Sequence, residues 1–268
     1  MLLEPVSGKD DIQLRDKDAS APKELPKGDE LKAEIEKQLK KLTDLQSVFY
    51  ADCRHSLLII LQGRDASGKD GVARTVIGAF NPAGVRVNSF KVPTPLELAH
   101  DYLWRIHQVV PEKGMISVFN RSHYEDVLVV RVHNLVPKPV WSKRYEQIND
   151  FEKMLTENGT IILKFFLHVS RDEQRDRLIE RVNDETKNWK FKAGDLDERN
   201  LWDDYTDAYT DALRKCSTKW APWYIVPADS NKARNYLIAK RIVHTLEGLD
   251  LKYPEPKTDL KQYLKSLK

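Results

Sequence analysis

Gly63-Arg64-Asp65-Ala66-Ser67-Gly68-Lys69-Asp70 is the segment whose residue types and spacing most directly imply chemistry. G-x-x-x-x-G-K between a strand and a helix is the spacing of a phosphate-binding P-loop. The glycines let backbone N–H groups curl around a phosphate, the following helix start adds partial positive charge, and Lys69 reaches the outer phosphates. Gly63, Ala66, Ser67, Gly68, Lys69, Asp70, Gly71 and Arg74 are therefore the candidate phosphate contacts. A Ser or Thr whose hydroxyl ligates Mg²⁺ ordinarily follows the lysine. Here Asp70 stands there, and a second carboxylate, Asp65, lies inside the loop. A bare carboxylate in a phosphate cradle repels its ligand by roughly a few kcal/mol at protein-surface dielectric. Asp65 thus calls for a divalent cation between it and the phosphates, or for an outward turn onto Arg64 or Arg74. The alternative is a diverged loop that binds nothing.

A second constellation follows the apolar run Ile116–Phe119, in Asn120-Arg121-Ser122-His123-Tyr124-Glu125-Asp126. Ligands of open α/β sheets bind beyond the carboxyl ends of the strands, which places this cluster beside the P-loop. The strand tip, where a metal-holding carboxylate usually sits, carries Asn120, a neutral oxygen ligand, with Glu125 and Asp126 one turn later. Arg121 offers a planar fork to phosphate oxygens; the alternative is that Arg121, Glu125 and Asp126 form ordinary surface pairs at a helix start, against which their position at a strand tip weighs. A third, basic stretch holds Arg171, Arg175, Arg177 and Arg181, then Lys187, Lys190, Lys192 and Arg199. It reads either as a salt-laced exposed helix, with Glu173→Arg177 a favourable spacing, or as a lid closing over a phosphate chain. Trp189 and Phe191 would help such a lid exclude water.

These segments need elements to position them. Ser56–Gln62, Val85–Phe90, Met115–Phe119, Thr160–Val169 and Trp223–Ala228 read as strands. Helical spacing runs through residues 29–53, 140–158, 171–182, 196–215 and 231–249, and Thr94-Pro95-Leu96-Glu97 opens a further helix expected to reach Val110. Alternating strands and helices imply a P-loop kinase-like three-layer α/β/α fold with a mostly parallel sheet. Residues 1–27 read as an extended polar arm, 28–250 as the main domain with a helical lid near 171–200, and 251–268 as a tail. Leu31–Val48 could serve as an intermolecular helix face.

The 268 residues suffice for one large α/β domain. A net charge of +3 hides 44 basic against 41 acidic residues, so anion binding must come from local clustering. Cys53 and Cys216 have no metal or redox spacing and read as structural thiols. The first residues lack an apolar h-region and no run approaches 18 apolar residues, so the expectation is a soluble cytoplasmic protein without membrane attachment.

GRDASGKDG, VFNRSHYEDVLVVRV, KFFLHVSRDEQRDRL…NWKF…GDLDER and APWYIVPAD together resemble the polyphosphate kinase 2 family over roughly residues 30–250. The resemblance implies transfer of phosphoryl groups between inorganic polyphosphate and nucleotides with Mg²⁺ or Mn²⁺. It implies metal and phosphate contacts at Asp65 and Lys69, and phosphate-binding roles for Arg121, Arg177 and Arg181. Asn120, Arg121, Glu125 and Asp126 would face the nucleotide, with Asn120 joining Asp65 at the metal. The NRSHYEDV form resembles the subgroup that accepts AMP as well as ADP, yielding ADP and ATP. Dimers or tetramers are expected from the family, and nucleic acid is not an expected partner. Two other readings stay open: an ATP-dependent nucleoside monophosphate kinase, and a non-catalytic binder of polyanions such as polyphosphate or nucleic acid.

Overall fold

The computed structural model describes residues 1–8 and 11–267. Eleven α-helices, short 3₁₀ turns and five strands follow one another among them. Helix α1 spans Gly28–Asp52, β1 Ser56–Gln62, α2 Lys69–Thr75 and β2 Val85–Ser89. Short helices α3 (Pro95–Leu98) and α4 (Trp104–His107) precede β3 (Ile116–Asn120). Short α5 (Val129–Val132) and α6 (Lys138–Trp141) lead to α7 (Arg144–Glu157) and β4 (Thr160–His168). Then come α8 (Arg171–Asn183), α9 (Gly194–Asn200), α10 (Trp202–Cys216), β5 (Trp223–Pro227) and α11 (Asn231–Glu247).

The strands form one fully parallel sheet in the order β2-β3-β1-β4-β5. Central β1 is buried along its whole length, which is why its sequence is a continuous apolar run rather than an alternating one. Its side chains still alternate: Leu57, Ile59 and Leu61 pack on one face with α1 and α11, and Leu58 and Ile60 on the other with α7 and α10. Ile59 sits opposite Val118 of β3 and Leu163 of β4, so β1 and β3 end side by side. This register brings the loop after Gln62 next to Asn120, and that is what assembles the site.

Several expected elements differ. The helix expected from Thr94 to Val110 is two single turns, although Thr94 and Glu97 do make the capping box. The expected 140–158 helix breaks between α6 and α7, and α7 ends before Gly159, whose φ is +91°. The expected 196–215 helix breaks at Leu201 between α9 and α10. The N-terminal arm is not simply extended, because Leu3, Ala19 and Leu25 are buried and Asp16–Ala19 makes a 3₁₀ turn. The apolar face of α1 is used within the chain: Leu31 and Leu42 are buried, and Ile35, Leu39 and Leu45 pack on the same core as α11. It is therefore not a free intermolecular face. Both cysteines are free thiols.

Candidate active site

β1 delivers Gly63 at φ +154°, where an added Cβ would lie 2.7 Å from Leu167 O and from Ser67 Oγ. Only glycine fits there. Ala66 (φ +61°) and Gly68 (φ +96°) complete the reversal into α2. Lys69 is buried, and its Nζ donates to Gly63 O at 2.6 Å and Arg64 O at 3.0 Å. Burial pulls this ammonium down to about 8, with Arg121 adding to the effect against Asp65, Glu125 and Asp70. The lysine is thus folded onto loop carbonyls that a phosphate would replace.

Asp65 turns neither to Arg64 nor to Arg74. Its Oδ1 accepts from Arg121 Nη2 at 2.5 Å. Burial pushes the Asp65 carboxyl up, but Arg121, Lys69 and Arg181 together hold it below the usual range. Arg64 is buried instead over the Trp202 ring at 4.0 Å and donates to Trp202 O and Thr206 Oγ1. Arg74 is exposed and makes no ion pair among the described residues.

At the tip of β3, Arg121 adopts φ +63° and its N–H donates to Leu61 O at 3.1 Å. Its guanidinium joins Glu125 at 3.2 Å and Asp65, so the two sequence motifs meet through one cation. Asn120 Nδ2 donates to Asp70 Oδ1 at 3.0 Å, and Lys190 of the basic stretch donates to the other Asp70 oxygen at 3.5 Å. Asp70 is therefore tied to the strand tip and to Lys190, beyond serving as a helix start.

Asp126 does not share this cluster. It points away to Arg144, whose Nη1 donates to its Oδ1 at 2.8 Å, and burial pushes its carboxyl up to about 6 against Arg144 and Arg105. Glu125 and Asp126 thus line different clefts. One, of about 100 Å³, lies over Gly63, Asp65, Arg121, Glu125, Tyr205 and Tyr209. The other, of about 560 Å³, is walled by Leu98, Tyr102, Arg105, Asp126, Arg144 and Gln147.

The basic residues between 171 and 200 divide likewise. Arg177 pairs with Glu173 at 2.8 Å, as its spacing implies, and also donates to Ala66 O, Ala228 O and Asp229 O. Here it is a clamp on the phosphate loop rather than a free phosphate ligand. Arg181 pairs with Asp195 at 3.2 Å and contributes to the field on Asp65. Trp189 is 76% exposed, so it covers nothing in this conformation.

Three contributors carry no recognisable sequence signal. Gln174 donates to Asp65 O at 3.0 Å. Arg234 of α11 lies buried against Gly68 and Gly71. Beneath the second motif, fully buried Lys164 donates to Glu152 Oε2 at 2.5 Å, to Tyr124 Oη and to Cys216 O, while His123 Nε2 meets Glu152 at 3.2 Å. That ionic core holds His123 and Tyr124, and so the backbone that carries Arg121 and Glu125. Nothing in the strand TIILKFFLH itself marks its Lys as half of a buried ion pair.

Among the described residues, no three or more His, Cys, Asp or Glu converge as a metal cage. Mg²⁺ needs none beside phosphates, since one or two carboxylates and substrate oxygens hold it. Asp65 and the Asn120 amide oxygen fit that hard-oxygen set. No helix among the described residues is long and apolar enough to cross a membrane.

The polyphosphate kinase 2 (PPK2) family model matches residues 26–254. The chain is 58% identical over 219 residues to an AMP/ADP-polyphosphate phosphotransferase of Meiothermus ruber, covering 82% of each. It is 49% identical over 230 residues to an ADP-polyphosphate phosphotransferase of Rhodopseudomonas palustris, covering 81% of this chain and 80% of that one. The crystal structure of polyphosphate kinase 2 from Arthrobacter aurescens TC1 superposes with TM-score 0.89 at 42% identity, over 93% of this chain and 89% of the other. A P-loop joined to a strand-tip arginine, on a fold shared at this identity, has one reading: the chain belongs to the polyphosphate kinase 2 family.

Proposed function

We propose that this protein transfers the terminal phosphoryl group of inorganic polyphosphate to AMP and to ADP, giving ADP and ATP. The observation that carries the reading is the convergence of Lys69, Asp65, Arg121 and Glu125 on one phosphate loop. No nucleophilic side chain is needed, because the acceptor phosphate is already an anion. Its oxygen attacks the terminal phosphorus, the bond to the bridging oxygen breaks, and that electron pair stays with the shortened chain. Anhydride is exchanged for anhydride, so the reaction is reversible.

Catalysis then consists of positioning and charge neutralisation. The backbone N–H groups of Ala66–Gly71 and Lys69 hold the donor terminus. Arg121 leaves its carboxylate partners to bridge donor and acceptor phosphates. Arg181, less enclosed than Arg177, supplies lid charge. Asp65 and Asn120 would hold a divalent cation, Mg²⁺ or Mn²⁺, which would neutralise phosphate charge and relieve the like-charge conflict at Asp65. The roughly 100 Å³ cleft suits phosphate groups, whereas the roughly 560 Å³ cleft lies in the size range of organic-ligand sites and suits the acceptor's nucleoside. Asp126 would act there. We assign the protein to the cytoplasm and to a homo-oligomer, which light scattering would size.

The acceptor reading is tested by supplying polyphosphate and Mg²⁺ with either AMP or ADP and following products by chromatography. AMP converted to ADP and then ATP supports it. Phosphorylation of ADP alone would limit the enzyme to diphosphates and set aside the AMP-accepting reading of the NRSHYEDV segment.

A further inference from the structure

Arg234 is 1% exposed and has no carboxylate partner among the described residues. Its Nη1 donates to Asn231 Oδ1 at 2.6 Å, and its Nη2 and Nε to Asn235 Oδ1 at 2.9 and 3.2 Å. Both asparagines belong to its own helix, so these bonds fix the guanidinium without tying α11 to any other element. What it touches across the gap is the phosphate loop. A Cβ on Gly68 would lie 1.9 Å from Nη1, and one on Gly71 2.8 Å from Nη2. The guanidinium therefore lies directly against the two glycines at the junction of loop and helix.

A buried charge without a counter-ion is costly, and burial pulls this guanidinium down to about 10, with neighbouring Arg177 adding to the effect. Arg177 has Glu173; Arg234 has only amides. Two guanidinium groups thus flank Ala66–Gly71 with one carboxylate between them. The site carries an uncancelled positive charge a few ångströms from a loop read as taking a polyanion. A structural strut would have used its donors across to the loop or to a carboxylate.

We propose that Arg234 is a positioning residue for the polyphosphate donor, holding Gly68 and Gly71 in the phosphate-binding conformation and lending the loop an uncompensated charge. The inference rests on the phosphotransfer reading above and deepens it. It also explains why position 71, whose backbone is ordinary, is glycine: a side chain there would displace the guanidinium.

The test measures KM for inorganic polyphosphate, KM for AMP and Tm in Arg234→Gln, Arg234→Lys, Gly71→Ala and the Arg234→Gln/Gly71→Ala pair. Arg234→Gln is expected to raise the polyphosphate KM about tenfold, leave the AMP KM within about twofold of wild type, and leave Tm unchanged or higher. Arg234→Lys restores part of the loss. Gly71→Ala weakens polyphosphate in the wild-type background and adds nothing once Arg234 is gone. A fall in Tm with both KM values unchanged, or a parallel rise in both, would overturn the proposal. Should Arg234→Gln fail to fold, Gly71→Ala decides: an unchanged polyphosphate KM there overturns it. Absence of polyphosphate turnover in the wild type would instead fall on the reading of function.

Discussion

Raising the pH in the absence of ligand should stabilise this protein relative to its Lys69→Met variant. The unfolded chain keeps the lysine proton up to about 10.5, the folded loop only to about 8. Between those values the unfolded state binds more protons, so stability rises with pH and is lost again as the pH falls through about 8. The interval corresponds to about 3 kcal/mol at about 1.4 kcal/mol per pH unit. The assay is denaturant unfolding of wild type and Lys69→Met from pH 7 to pH 10.5, reading only the difference between them so that other titrating groups cancel. The wild type should gain about 3 kcal/mol on the variant across that range. Activity moves the opposite way, since the donor needs the ammonium: kcat/KM for polyphosphate should fall about tenfold per unit above about pH 8, reporting the free enzyme. Bound phosphates hold the proton on, so kcat itself should stay flat to higher pH. A stability difference that does not change with pH would mean that Lys69 is not the buried, carbonyl-bound cation described here.

The remaining predictions concern neighbouring parts of the same machinery. Lys164→Met breaks a fully buried ion pair and should cost about 3–5 kcal/mol, read by chemical denaturation; replacing Glu152 by Gln in the same chain should recover part of it. Arg177→Gln removes one ion pair and three bonds to carbonyls, so it should lower stability by about 2–4 kcal/mol together with kcat. Arg181→Gln should lower kcat with little change in Tm, and equal losses in both variants would erase the distinction drawn between clamp and lid cation. Chelation with EDTA should stop turnover, and Asp65→Asn should raise the metal concentration needed for half-maximal rate; an unchanged metal titration would remove Asp65 from the metal.

The fold was readable because its signals are local. SLLIILQ and TIILKFFLH are long apolar runs bounded by turn residues, and the parallel sheet follows from their alternation with helices. The P-loop was readable for the same reason, since its function depends on backbone conformation within a few residues. What pairs with what was not. Asp65 sits 56 residues from Arg121, and neither spacing nor composition distinguishes that partner from Arg64 or Arg74. Arg177 looked like lid charge because a sequence displays its carboxylate four residues earlier but not the three carbonyls it also holds. Glu125 and Asp126 are adjacent in the chain and face separate clefts, a separation set by the 3₁₀ turn at His123–Val127. Arg234 lay outside every motif, being brought to the loop only by the packing of α11 beside α2.

The most direct measurement supplies AMP and Mg²⁺ to purified protein with either long-chain polyphosphate or ATP as donor, beside Lys69→Ala, and follows nucleotides by chromatography. ADP and then ATP from the polyphosphate reaction, with Lys69→Ala folded and inactive, is the predicted result. ADP from the ATP reaction alone would make the protein an ordinary monophosphate kinase. Polyphosphate binding without turnover would make it a polyanion binder, and near wild-type activity in Lys69→Ala would contradict the phosphate-loop assignment itself.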